Sequence, residues 1–92
     1  MKESFKNVLN DMYKIHNEKD ARYGGAYNQT RIAHKNAILV MLNFKLNRLE
    51  TLFSKPELEN DESVEDTLLD MANYCVMELV ARRNEKANGK TV

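Results

Sequence analysis

Five of the ten residues from Asp61 to Asp70 are acids, and oxygen ligands at this density are the chemistry the chain offers most openly. Asp66 and Asp70 are four apart, so on a helix they stack on one face. Glu62 falls one turn before them and Asn73 about one turn after. Val64, Leu68, Met71, Cys75 and Leu79 recur on a separate stripe. One helix would then carry an apolar seam and, beside it, a ladder of oxygen ligands. Stacked like charges are mildly unfavourable on an isolated helix, and a cation or a basic partner would relieve them. Two readings stand side by side: a solvated acidic face, and a site for a divalent cation or basic partner. The helix macrodipole accounts for Asp61 and Glu62 without any ligand, but it accounts poorly for Asp70, two turns in.

The cations and aromatics offer a complementary set. Lys45 and Arg48 are three apart and share a face. Such a pair is ordinarily solvated or salt-bridged. Read functionally it is a phosphate clamp, since Arg suits bidentate phosphate contact and Lys acts as a point charge. Arg22 to Asn28 reads RYGGAYN, with Tyr23 and Tyr27 bracketing two glycines. The ordinary use of such a segment is a helix connection with its tyrosines packed on the bundle end. The functional reading is a loop whose backbone approaches a ligand closely, with an aromatic ring for base stacking.

Other chemistries have no signal here. There is no GxxxxGK[ST] loop and no GxSxG elbow, and His16 and His34 are not spaced as HExxH. Cys75 is the only cysteine, which excludes an internal disulfide and a Cys-based zinc site; its place on the apolar stripe predicts a small core residue. Carboxylates with Lys and Arg remain. That set fits Mg²⁺–phosphate chemistry, because Mg²⁺ takes one or two carboxylates together with phosphate oxygens.

The elements that must position these residues are helical. The chain has 92 residues, one Pro and three Gly, with 42% hydrophobic and 30% charged residues, as suits one small globular all-α domain. Phe5, Val8, Leu9, Met12, Ile15 and His16 predict a first helix over about 4–20, capped by Ser4, with His16 packed at the stripe edge. Ile32, Leu39, Leu42, Leu46, Leu49 and Phe53 keep nearly heptad spacing and predict a second helix over about 29–53, capped by Asn28 or Thr30. Ile38, Val40 and Met41 make its middle apolar on several sides, as in a dimer or tetramer core. After a loop marked by Pro56, Asp61 or Ser63 caps a third helix over about 62–87. Arg82, Arg83 and Lys86 suit its C-terminal end. Residues 1–87 are expected to form a single domain and 88–92 a frayed tail. The predicted architecture is three helices, with a long hairpin of the second and third. A chain this short buries a limited core, so assembly into a homo-oligomeric bundle is expected.

The formal net charge is zero, which gives no electrostatic case for direct DNA binding. The signs are nonetheless segregated. Pro56 to Ala81 holds eight acids and no Lys or Arg, whereas Asn28 to Phe53 holds four basic residues and one acid. That predicts two antiparallel neighbours, or a site where both signs converge on one ligand. No signal peptide or membrane span is visible, the longest apolar run being Ala37 to Leu42, and a cytoplasmic location is expected.

Taken in order, Lys19-Asp20, Tyr23-Gly24, KLNRLETL from Lys45 to Leu52 and DESVEDTLLDMANY from Asp61 to Tyr74 form a recognisable series. It resembles the phage and bacterial family called nucleotide modification associated domain 1. The matching residues are Lys19, Tyr23, Gly24, Lys45, Arg48, Glu62, Asp66, Asp70, Asn73 and Tyr74, and the resemblance spans roughly Met12 to Leu79. Ala21 and Arg22 separate Asp20 from Tyr23, a departure from the family pattern. The resemblance implies a phage-encoded helical protein of the host-cell cytoplasm that binds or acts on nucleotides. The pattern is also similar, more distantly, to all-α nucleoside triphosphate pyrophosphatases of the MazG type. Those hold Mg²⁺ with carboxylates on antiparallel helices and cleave the α–β phosphate bond. This chain lacks their E-E-x-x-E signature, and a full cage would draw on Glu18, Asp20, Glu50 or a second subunit.

On this footing Glu62, Asp66 and Asp70 would hold Mg²⁺, and Lys19, Lys45 and Arg48 would neutralise phosphates. Tyr23, Gly24, Asn73 and Tyr74 would contact the rest of the nucleotide. Hydrolysis of a nucleoside triphosphate is one implied activity. The alternative is a small non-catalytic phage protein that inhibits a host protein, or sequesters a nucleotide signal, with its acidic helix against a basic partner surface.

Overall fold

Ser4 opens the first helix. Its hydroxyl accepts the Asn7 amide at 3.1 Å, so α1 (Phe5–Tyr23) begins where a side chain satisfies an otherwise orphaned donor. The structure, a computed structural model, describes residues 2–60 and 63–89. It is helical, with no strand among the described residues. α1 runs past the expected end at Asp20 and stops at Gly24, whose φ is 54° and whose N–H donates to the Asp20 carbonyl at 2.8 Å. A residue with a Cβ is strained in that left-handed backbone, which is why glycine stands there.

The single helix expected over 29–53 is two helices. α2 spans Ala26–Ala33 and α3 spans Ala37–Ser54. Between them His34 is extended, with φ −136° and ψ 113°. No proline or glycine marks the break. It falls in the gap between Ile32 and Ile38, where the apolar stripe lapses and His34, Lys35 and Asn36 have modest helix propensity. Ile32, counted into that stripe, is 84% exposed. The change of direction leaves Tyr27 and Arg31 on α2 within reach of Glu78.

A 3-10 turn over Pro56–Asn60 leads to α4 (Val64–Ala87). Of the two candidate caps Ser63 is used, its hydroxyl accepting the Asp66 amide at 2.9 Å. Glu62, expected at the start of this helix, lies outside the described residues. Asn88 and Gly89 end α4, as expected.

α3 packs along α4, and α1 lies against α4. The buried set is small: Met12 on α1, Ala37 and Leu52 on α3, Thr67 and Glu78 on α4. On α3 the less exposed side runs through Ile38, Met41, Leu42, Lys45, Leu49 and Leu52, a stripe rotated from the expected one. Leu39, Leu46 and Phe53 are exposed, and so is Cys75, read from the sequence as a core residue. Heptad spacing detects an apolar line on a helix but not which of two adjacent lines a neighbour covers. Among the described residues no helix is long and apolar enough to cross a membrane.

Candidate functional site

Three helices each deliver one charged side chain to a single cluster. Lys19 of α1 donates to Asp70 Oδ1 at 2.7 Å, and the Lys45 ammonium of α3 lies 3.0 Å from Asp70 Oδ2 on α4. The Asp70 side chain is 15% exposed, Lys45 22% and Lys19 53%, so the cluster opens towards solvent at Lys19. Burial pushes the Asp70 carboxyl up, but the hydrogen bonds and charges of Lys19 and Lys45 outweigh it and hold the pKa below the usual carboxylate range. Each ammonium carries three donors, so the bond to Asp70 does not exhaust Lys19. One turn along α4, the Asn73 side-chain amide nitrogen is buried without a hydrogen-bond partner. A buried donor left unpaired is costly, on the order of 1–3 kcal/mol.

A second charged group ties α2 to α4. Glu78, 8% exposed, accepts from the Tyr27 hydroxyl at 2.8 Å, from Arg31 Nε at 2.9 Å and from Arg82 Nε at 2.6 Å. Arg31 also forks onto both oxygens of Glu85, at 2.9 and 2.8 Å. Burial raises the Glu78 pKa, but the bonds from Arg31, Tyr27 and Arg82 overcome this and bring it to about 2. Burial, reinforced by Glu78, raises the Tyr27 phenol. This group is saturated with internal partners and acts as a clamp between helices. The clamp itself was not read from the sequence, where Tyr27 entered only as a bundle-end or base-stacking ring and Arg82 as a helix-end cation. Its one legible trace is Glu78, Arg82 and Glu85 recurring at helical spacing on one face of α4.

The other expected site residues are dispersed. Asp66 is exposed on the first turn of α4. Arg48 lines a groove on α3 with Val40, Asn43, Phe44, Asn47 and Thr51, whereas Lys45 meets Asp70. Tyr74 packs on Tyr27, with ring centroids 5.5 Å apart and planes tilted by 58°. Tyr23 is 65% exposed and stands one turn beyond Lys19 on α1. Gly24 is the α1 cap. Among the described residues, no group of three or more His, Cys, Asp and Glu side chains is placed to hold a metal ion.

A family model described as nucleotide modification associated domain 1 matches residues 19–81. The match opens at Lys19 and takes in Lys45 and Asp70 of the cluster, Asn73, and Tyr27, Arg31 and Glu78 of the clamp, while Arg82 and Glu85 lie just beyond it. No curated protein and no solved structure matches the chain, so the more distant likeness to MazG-type pyrophosphatases has no counterpart among them. With about two thirds of its length matched, the chain belongs to the nucleotide modification associated domain 1 family.

Proposed function

We propose that the protein binds a nucleotide through its phosphates at the Lys19–Asp70–Lys45 cluster. The observation that carries this reading is the convergence of two ammoniums on one carboxylate from three separate helices. Lys19 is half-exposed and keeps donors beyond its bond to Asp70, and phosphate is the nucleotide group that an ammonium at such an open position recognises. Asp70 then acts as the spacer that holds both lysines ready. The unpaired Asn73 amide is a further donor one turn away. Tyr23, exposed and four residues beyond Lys19, is better placed to stack on a base than Tyr74, whose ring already packs on Tyr27. The family's association with nucleotide modification supports a nucleotide ligand.

Mg²⁺ belongs to this reading as the ion that accompanies a nucleoside triphosphate, with the exposed Asp66 as the carboxylate open to it, since both oxygens of Asp70 meet lysines. Hydrolysis of that triphosphate is the reaction the proposal extends to. The test is thermal melting of the protein against a panel of ribo- and deoxyribonucleotides, with Mg²⁺ and with EDTA. A bound ligand raises the melting temperature by linkage. Lys19→Ala and Lys45→Ala should each weaken binding roughly ten- to a hundredfold, the worth of one charge-assisted hydrogen bond. Asp66→Asn should remove any dependence on Mg²⁺, and Asp70→Asn, which loosens both lysines, should weaken binding with and without Mg²⁺. A panel without a single shift would overturn nucleotide binding and favour a basic protein partner on the acidic face of α4.

A further inference from the structure

We infer that a second copy of this chain covers the apolar groove between α1 and α4, making the protein a homodimer. The groove has a volume of about 570 Å³ and is lined by Phe5, Val8 and Leu9 of α1 and Ala72, Cys75 and Val76 of α4. Met12 is also in its lining, and polar groups enter it at one end, at Glu3 and Ser4. Phe5 is 82% exposed, and Leu79 and Val80 continue the strip along α4, each 52% exposed. Met12 is the one α1 residue that the rest of the chain buries. A helix held by so little needs a cover on its other side.

The total surface of the chain, of which this groove is one part, leaves room for such a cover. The chain exposes 7434 Å², whereas a compact monomer of 10.7 kDa exposes roughly 5,500 Å². The excess, roughly 1,900 Å² per chain, is of the size that obligate homodimers bury. The radius of gyration agrees: 15.0 Å, against about 12 Å for a compact domain of this length. A second copy is the occupant that fits. The formal net charge is zero, so two copies meet without net repulsion. The groove also carries its own knob. In a two-fold pairing the exposed Phe5 of each copy inserts beside α4 of the other, so one patch supplies both halves of the contact.

The experiment is sedimentation of the full chain at micromolar concentration, combined with the alkylation rate of Cys75. Cys75 is the only cysteine and lines the groove, so its modification reports on that surface alone. The expected result is twice the chain mass, with Cys75 alkylated at least tenfold more slowly than in the unfolded chain. Val76→Glu and Phe5→Ser should each give a helical monomer with fast alkylation. A wild-type monomer would overturn the inference. So would a dimer that both variants leave intact, or a dimer whose Cys75 reacts freely, since either places the interface elsewhere. Nucleotide binding plays no part in these readouts.

Discussion

Asp70 and Glu78 lie two turns apart on α4, and both carboxyls are held below their usual range, yet their surroundings assign them different work. Glu78 is enclosed by Tyr27, Arg31 and Arg82, and its partners are internal. Asp70 is gripped by two lysines, one of them half-exposed. The Glu78 pKa falls from 4.5 to about 2 on folding, so its contribution is present above pH 4.5 and is lost as pH falls towards 2. That drop is worth about 3 kcal/mol at neutral pH. Urea unfolding at pH 7 and pH 3 should therefore show a steep loss of stability in acid, and Glu78→Gln should flatten it. Glu78→Ala should be worse than Glu78→Gln at pH 7, costing roughly 1–3 kcal/mol against wild type, because the Tyr27 hydroxyl loses its acceptor and Arg31 keeps only Glu85. At the alkaline end the raised Tyr27 phenol works the other way: stability present below pH 10 is lost above it, and Tyr27→Phe should remove that loss. Lys19, Lys45 and Asp70 stand in spaced motifs and were named from the sequence, though for phosphate and metal and not for one another. Arg31 and Glu78 stand in no such motif, and nothing local marks their pairing across the chain.

At the scale of elements, caps and breakers explain what could be read, and side-chain coverage explains what could not. Ser4, Ser63 and the Gly24–Gly25 pair bound their helices as their chemistry dictates. The α2–α3 break has no such marker; it serves tertiary reach, bringing Tyr27 and Arg31 to α4. Gly24→Ala isolates backbone strain, because a Cβ there would meet nothing within 4 Å while φ stays at 54°. The cost should be about 1 kcal/mol, read as a melting temperature lower by about 4–8 °C. The rotated stripe on α3 has its own test. Leu52 is 2% exposed and Leu39 is 59% exposed, although heptad spacing favoured Leu39. Leu52→Ala should cost roughly 2–5 kcal/mol in chemical denaturation, and Leu39→Ala less than about 0.5 kcal/mol. Equal losses would restore the heptad line as the packed one.

At the scale of the whole molecule, the principal extents are 47 × 31 × 22 Å, long and thin for a chain of 92 residues. Among the described residues, five buried side chains, two of them polar, are few for a domain that must offset its own conformational entropy. The shortness of the chain pointed to self-association, but spacing alone could not choose the surface, because apolar lines run along every helix except α2. If the α1–α4 groove is filled by a second copy, association adds to the stability of the fold, and unfolding takes one native dimer to two unfolded chains. Its equilibrium then depends on chain concentration. Each tenfold increase adds about 1.4 kcal/mol per dimer. Spread over the unfolding entropy of two chains, that raises the melting temperature by about 4 °C. Scans from 1 to 100 μM, on the order of two decades in concentration, should therefore climb by about 8 °C for the native sequence. Val76→Glu, confined to monomers, should melt lower and at one temperature throughout. A midpoint that stays constant in the native protein would mean that α1 is held by its own chain, and that the large exposed surface belongs to a stable monomer.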